Sequence, residues 1–215
     1  MHAQAAPPRG RRTLDTDRLA AFSDGVFSIA ATLLVLDLAV KPPGTPLEQL
    51  LHGWPGYLGY VVSFLTIGGA WLAHSTMTDR LDRSNVNLLR VNLIFLLVVA
   101  FLPFPTRLMT DSLHTNDGQK VAVTVYGLTL LAIRLLGAGL DAYAQREHLY
   151  TPRGEEEDQE VQDTKRGLLS IVIGYVIAIL IGLISPEAAA ALYFALAVYL
   201  ILPVREVARL LFRHP

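Results

Sequence analysis

Residues 18–40 read RLAAFSDGVFSIAATLLVLDLAV, an apolar run that nonetheless carries Ser23 and Asp24 near its start. A helix needs roughly 20 predominantly apolar residues to cross the hydrocarbon of a bilayer, and this run is long enough. A carboxylate within such a helix costs about 2.5–3.5 kcal/mol at its centre on insertion scales. The rest of the chain therefore has to supply Asp24 with a partner or a water-filled cavity.

Composition agrees with a membrane setting. The 215 residues are 52% hydrophobic and only 17% charged, against about 25% charged in an ordinary soluble domain. The net charge is −1, so no basic surface points to nucleic acid. There is no cysteine, which excludes disulfides, thiolate metal sites and cysteine nucleophiles. The chain holds no Walker A, GxSxG, HExxH or GxGxxG arrangement, and its six histidines lack metal-ligand spacing. The expectation is neither an enzyme nor a protein with a resident metal or cofactor.

Six apolar segments follow one another, at about 18–40, 54–77, 86–109, 120–146, 166–184 and 186–203. They predict an all-α integral membrane protein with six transmembrane helices in one unit, residues 18–203. A polar, basic tail, residues 1–17, precedes it and a short basic tail, residues 204–215, follows. A secretory signal is the other reading of a basic start, but its apolar core is only about 7–15 residues long. The prolines of KPPGTP stop the first segment, and PFP near the end of the third predicts a kink. TPRGEEEDQEVQD, between the fourth and fifth segments, reads as a solvated acidic loop. Of the 18 Lys and Arg residues, 14 fall in the N-terminal tail with Arg18, the turn between the second and third segments with Arg90, the acidic loop with Arg146 and Arg166 at its ends, and the C-terminal tail. That asymmetry predicts both termini in the cytoplasm of a multi-pass plasma-membrane protein.

The ionisable and amide groups inside the segments share a level. At 1.5 Å of rise per residue, Asp24, His74, Asn87, Arg90 and Asp141 all lie roughly 6–10 Å in from the cytoplasmic edge. Groups at one depth on neighbouring helices satisfy one another. Arg134 lies deeper, in mid-membrane. Helix phase separates two faces of the first segment. With about 100° per residue and Ile29 at zero, Leu33 falls near +40°, Leu36 near −20° and Thr32 near −60°. On the same count Ser23 falls near 120° and Asp24 near 220°. Periodicity alone reads the apolar stripe as lipid contact or helix packing, and Asp24 as a structural bond to a neighbouring helix.

These residues resemble the signature of the transmembrane protein 175 family of potassium channels: Arg, three residues, then Phe-Ser-Asp, here Arg18, Phe22, Ser23 and Asp24. GVFSIAATLLVL after it, WLAH at the end of the second segment and NLLRVNLIFLLVVAFLPFPT in the third match as well. The resemblance implies a potassium-selective cation channel. One six-helix unit per chain implies a homotetramer in which four copies of the first helix line a central pore. TVGYG is absent, so a carbonyl filter of the usual kind is not expected. By resemblance the pore is narrowed by Ile29, Leu33 and Leu36, an apolar gate, with Thr32 as a pore-facing hydroxyl tied to ion preference. The permeant ion is K+. The expected partners are the chain's own copies and membrane lipid.

The same resemblance suggests a structural network of Arg18, Phe22, Ser23 and Asp24, with His74 and Asn87 as partners on the second and third segments. A proton-conducting channel or proton-linked transporter is the alternative function, because His74, Asp24, Asp37 and Arg134 lie within spans and such groups serve proton relays.

Overall fold

The computed structural model describes residues 16–38, 45–115, 118–151 and 162–201. Its elements are α1 (Thr16–Leu33), a 3-10 turn (Leu34–Asp37), α2 (Pro46–His52), α3 (Trp54–Asp79), α4 (Val86–Phe101), α5 (Pro103–Thr115), α6 (Gln119–Arg146), α7 (Gln162–Gly182) and α8 (Pro186–Ile201). The expected tail before Thr16, the acidic stretch at 152–161 and the tail after Ile201 lie outside the described residues.

Local chemistry sets most helix ends. Thr45 and Glu48 form a capping box on α2: the Thr45 N–H donates to Glu48 Oε2 at 2.8 Å and the Glu48 N–H to Thr45 Oγ1 at 3.4 Å. The backbone bond from Thr45 holds the Glu48 carboxyl below its usual range. Pro46 occupies the first helical position, where its missing N–H costs nothing. Asn85 caps α4 by accepting from the Leu88 N–H. The kink expected at PFP is the α4–α5 junction. Pro103 and Pro105 cannot donate to carbonyls in the preceding turn, and the chain tightens there, with the Leu102 N–H bonded to Val99 O at 3.2 Å.

Four helical stretches among the described residues are long and apolar enough to cross a membrane: Thr16–Leu36, Trp54–Asp79, Val86–Leu113 and Gln119–Arg146. Leu169–Gly182 and Pro186–Leu200 are shorter apolar helices. Of the six expected spans, four are matched by these stretches, and α7 and α8 stand where the fifth and sixth are expected. A tight turn joins that pair, with the Ser185 N–H on Ile181 O at 2.8 Å.

α3 and α6 form the centre of the bundle. α3 packs on α5, α8 and α1, and α6 on α4, α5 and α7. α1 lies at the edge, against α3 and α4. Tyr126, Tyr175 and Tyr193 fill the middle and are fully buried. Tyr126 meets Tyr193 edge-on with ring centroids 5.5 Å apart. Gly127 makes this possible, because a Cβ there would run into the Tyr193 hydroxyl and Ile179.

A second tie fixes the Arg80 end of the bundle. Leu81 and Tyr150 form an antiparallel bridge, flanked by Asp82 N–H to Leu149 O at 2.9 Å and Thr151 N–H to Arg80 O at 3.0 Å. Arg80 lies over the Tyr150 ring at 5.0 Å and pairs with Asp141 at 3.3 Å. The Tyr150 hydroxyl and the Gln145 amide also donate to Asp141. Asp141 thus has the partners that its depth in the sequence demanded.

Gly127→Ala is expected to destabilise the purified protein by about 1–3 kcal/mol through overpacking. Gly139→Ala, where nothing lies within 4 Å, is expected to stabilise it, since Ala exceeds Gly in a helix by about 0.5–1 kcal/mol. Thermal unfolding in detergent reads both. Equal midpoints for the two variants would contradict the close approach of α6 to α8.

Candidate functional site: the uncovered face of α1 and its anchor

α1 divides sharply. Leu19, Ser23, Phe27 and Ala30 are buried on the side of α3 and α4, and Leu34 is buried in the 3-10 turn, which packs on α3 and α5. Phe22, Ile29, Thr32, Leu33 and Leu36 are all exposed in the single chain, Ile29 by 62% and Leu36 by 70%. A Cβ at Gly25 would meet nothing within 4 Å. By helix phase the exposed positions span an arc of about 180°, from Asp24 through Ser28, Thr32 and Ile29 to Leu33.

The 3-10 turn sharpens one edge of this face. In α geometry Leu36 trails Leu33 by about 60°, whereas residues three apart eclipse in a 3-10 helix. Leu33 and Leu36 therefore stack along one line. The Thr32 hydroxyl donates to the Ser28 and Ile29 carbonyls, each at 3.0 Å. Its proton is thus engaged within the helix, and the oxygen keeps two lone pairs as acceptors.

The anchor is a buried polar chain across three helices. Ser23 Oγ donates to Leu19 O at 2.8 Å and accepts from Asn92 Nδ2 at 3.0 Å. Asn92 Oδ1 then accepts from His74 Nε2 at 2.8 Å, which fixes the His74 proton on Nε2. Ser23, Asn92 and His74 are all buried. An aromatic layer backs them: His74 stacks on Phe95 with centroids 5.8 Å apart, and Phe27 meets both rings.

Ser23 and His74, expected in one network, are brought together. Asn87 is not their partner: it is exposed, and accepts from Arg90 Nη1 at 3.4 Å. Asn92 stands in its place, because Asn92 shares the buried face of α4 with Leu88, Phe95 and Val99. Arg18 and Phe22 are exposed and lie outside the chain of bonds. Asp24 is exposed too, and its carboxylate accepts from Trp71 Nε1 at 2.8 Å. That indole is a donor that a search for charged partners passes over. Arg134 Nε is buried without a hydrogen bond among the described residues.

Further out, a second polar junction joins α3, α5 and α6. Ser63 Oγ lies 2.8 Å from both Thr106 Oγ1 and Tyr126 Oη. Among the described residues no three His, Asp or Glu side chains converge as metal ligands.

Comparison with known proteins follows this geometry. A family model described as "Endosomal/lysosomal potassium channel TMEM175" matches residues 18–103, the stretch that holds α1, α3, α4 and the Ser23–Asn92–His74 chain. A potassium channel of Streptomyces collinus is 35% identical over 86% of this chain and 91% of its own length. The chain belongs to the TMEM175 family. A crystal structure of a lysosomal potassium-selective TMEM175 homolog from Chamaesiphon minutus superposes with a TM-score of 0.72 at 31% identity, covering 86% of this chain and 95% of that one. The endosomal/lysosomal proton channel TMEM175 of Gallus gallus is 32% identical over 52% of this chain and 25% of its own length. The longer animal protein is thus matched over one part only, whereas the bacterial TMEM175 channels are matched nearly end to end.

Asn92→Leu keeps the branched shape of the side chain and strands the His74 N–H in a buried site. An unsatisfied buried donor costs about 1–3 kcal/mol, so the variant is expected to unfold at lower temperature than wild type. Asn87→Leu, at an exposed position, is expected to change the midpoint little. Equal losses at the two positions would contradict the assignment of Asn92 as the anchor.

Proposed function

We propose that the chain is a potassium-selective cation channel, conducting passively through a pore lined by four copies of α1. The uncovered arc of α1 carries this reading. One helix cannot enclose a pore, and an exposed half-circumference is twice what each of four helices needs to line a channel. The surplus, on the side of Asp24 and Ser28, suits contact with the neighbouring protomer. The names of the bacterial relatives, each a potassium channel, supply the ion.

In this arrangement Ile29, Leu33 and Leu36 form successive apolar rings. Such rings offer an ion no oxygen ligands and close by dewetting. When slightly wider they favour potassium, which sheds hydration more readily than sodium. Thr32 adds a ring of oxygens between them. The polar anchor behind α1 sets the radius, since Ser23 and Phe27 hold the helix from the opposite side. In this reading α7 and α8 are the fifth and sixth spans, and the Lys/Arg asymmetry supports cytoplasmic termini.

Proton conduction is the second reading, favoured by the proton-channel name of the animal relatives and by His74 and Asp24 within the spans. His74 is buried and bonded to Asn92 rather than set on the uncovered face, which weighs against a role in a proton path along α1.

The test is the reversal potential of purified protein in liposomes under opposed potassium and sodium gradients, with and without a pH gradient. Wild type is expected to follow potassium. Ile29→Asn, similar in size but polar, is expected to raise current and move the reversal potential toward zero, while Ser28→Ala leaves both unchanged. A potential that tracks pH alone would overturn the potassium reading in favour of the proton one. An inert Ile29→Asn beside an active Ser28→Ala would overturn the pore face.

A further inference from the structure

α4 carries a second uncovered stripe, on the side away from Asn92. Arg90, Ile94, Leu97 and Phe101 recur at the spacing of one helix face, and Phe104 continues them past the kink. All five are exposed, Leu97 by 69%. From Ile94 to Phe104 the stripe is about 15 Å long at helical rise, the hydrocarbon depth of one leaflet in a core of about 30 Å. Phe101 and Phe104 close its inner end, with ring centroids 5.3 Å apart.

The polar end is built to match. The Arg90 guanidinium turns back along the helix toward the Arg83 end, where Nη1 meets Asn87 Oδ1 at 3.4 Å. That is the posture of an arginine lifting its charge to the edge of the hydrocarbon. A neutral amide oxygen does not balance the charge, and the Asn87 amide group remains as a further donor. Arg18, Arg83 and Arg146 are also exposed on this end of the bundle, beside the exposed Asp17, Asp79, Asp82 and Glu147, so the anion site rests on Arg90 itself.

We propose that this stripe holds an anionic phospholipid, with its phosphate on Arg90 and Asn87 and an acyl chain along Ile94, Leu97 and Phe101. A guanidinium matches a phosphate with two parallel N–H···O bonds, a geometry that lysine cannot supply. The occupant sits on the outer face of α4, the helix whose inner face holds α1 through Asn92. A second copy of the chain is the competing occupant. Its Asp24 carboxylate, exposed and at the same depth, is the anion it could bring to Arg90, and the Leu97→Cys outcome below separates it from the lipid.

The full-length protein, stripped of lipid in detergent, is tested by thermal unfolding and native mass spectrometry with four additives: phosphatidylglycerol, phosphatidylcholine, glycerophosphoglycerol and inorganic phosphate. Phosphatidylglycerol is expected to raise the midpoint above phosphatidylcholine and to remain bound in the gas phase. The two water-soluble phosphates, lacking acyl chains, are expected to do neither. Arg90→Gln is expected to weaken phosphatidylglycerol binding by roughly tenfold while sparing phosphatidylcholine, and Arg90→Lys to fall between. Equal effects of the two lipids on wild type would overturn the proposal without recourse to any variant. So would a shift produced by inorganic phosphate alone. Spontaneous disulfide-linked dimers of Leu97→Cys, in a chain with no native cysteine, would overturn it in favour of a second copy.

Discussion

Asn92 is the residue on which the arrangement of α1 depends. Its amide joins Ser23 on α1 to His74 on α3, and it stands on α4. Three helices therefore meet through one side chain whose donor and acceptor are both engaged. In hydrocarbon the alternative to such a bond is an unsatisfied polar group, so the register of the three helices is fixed as well as their contact. Phe27, His74 and Phe95 add an apolar clamp at the same level. Every other feature of α1 follows from being held on one side only.

Held this way, α1 presents an outward face that its own chain leaves bare. Ile29 and Leu36 on that face are left mostly uncovered within one protomer. The 3-10 turn at Leu34–Asp37 keeps Leu36 in line with Leu33 where a continued α-helix would let it drift. Asp24 belongs to the flank of the same face, held by the Trp71 indole rather than by a cation. A carboxylate held by one neutral donor keeps three further lone-pair sites, which suits contact between protomers better than a closed ion pair would.

Much of this was legible in the sequence, and the misses have physical reasons. Spans showed as apolar runs and the kink as PFP. The division of α1 into two faces followed from helix phase alone. Asn87 was preferred to Asn92 because the depth of a residue was weighed without its phase: the two asparagines differ by five residues, about 140° around the helix. Leu88, Phe95 and Val99 mark the buried side, and only Asn92 falls with them. Trp71 was missed because its indole is not ionisable and reads as an interfacial aromatic. Arg18 lies one and a half turns before Asp24, and that spacing turns it away from the carboxylate.

The central claim is that ions pass along the uncovered face of α1, and thiol chemistry tests it most directly because the chain has no cysteine of its own. Potassium flux into liposomes is measured for Leu36→Cys and Leu97→Cys before and after a small, charged, membrane-impermeant methanethiosulfonate reagent. The account predicts that modification blocks flux through Leu36→Cys and leaves Leu97→Cys untouched. Block at Leu97→Cys with Leu36→Cys unaffected would contradict it.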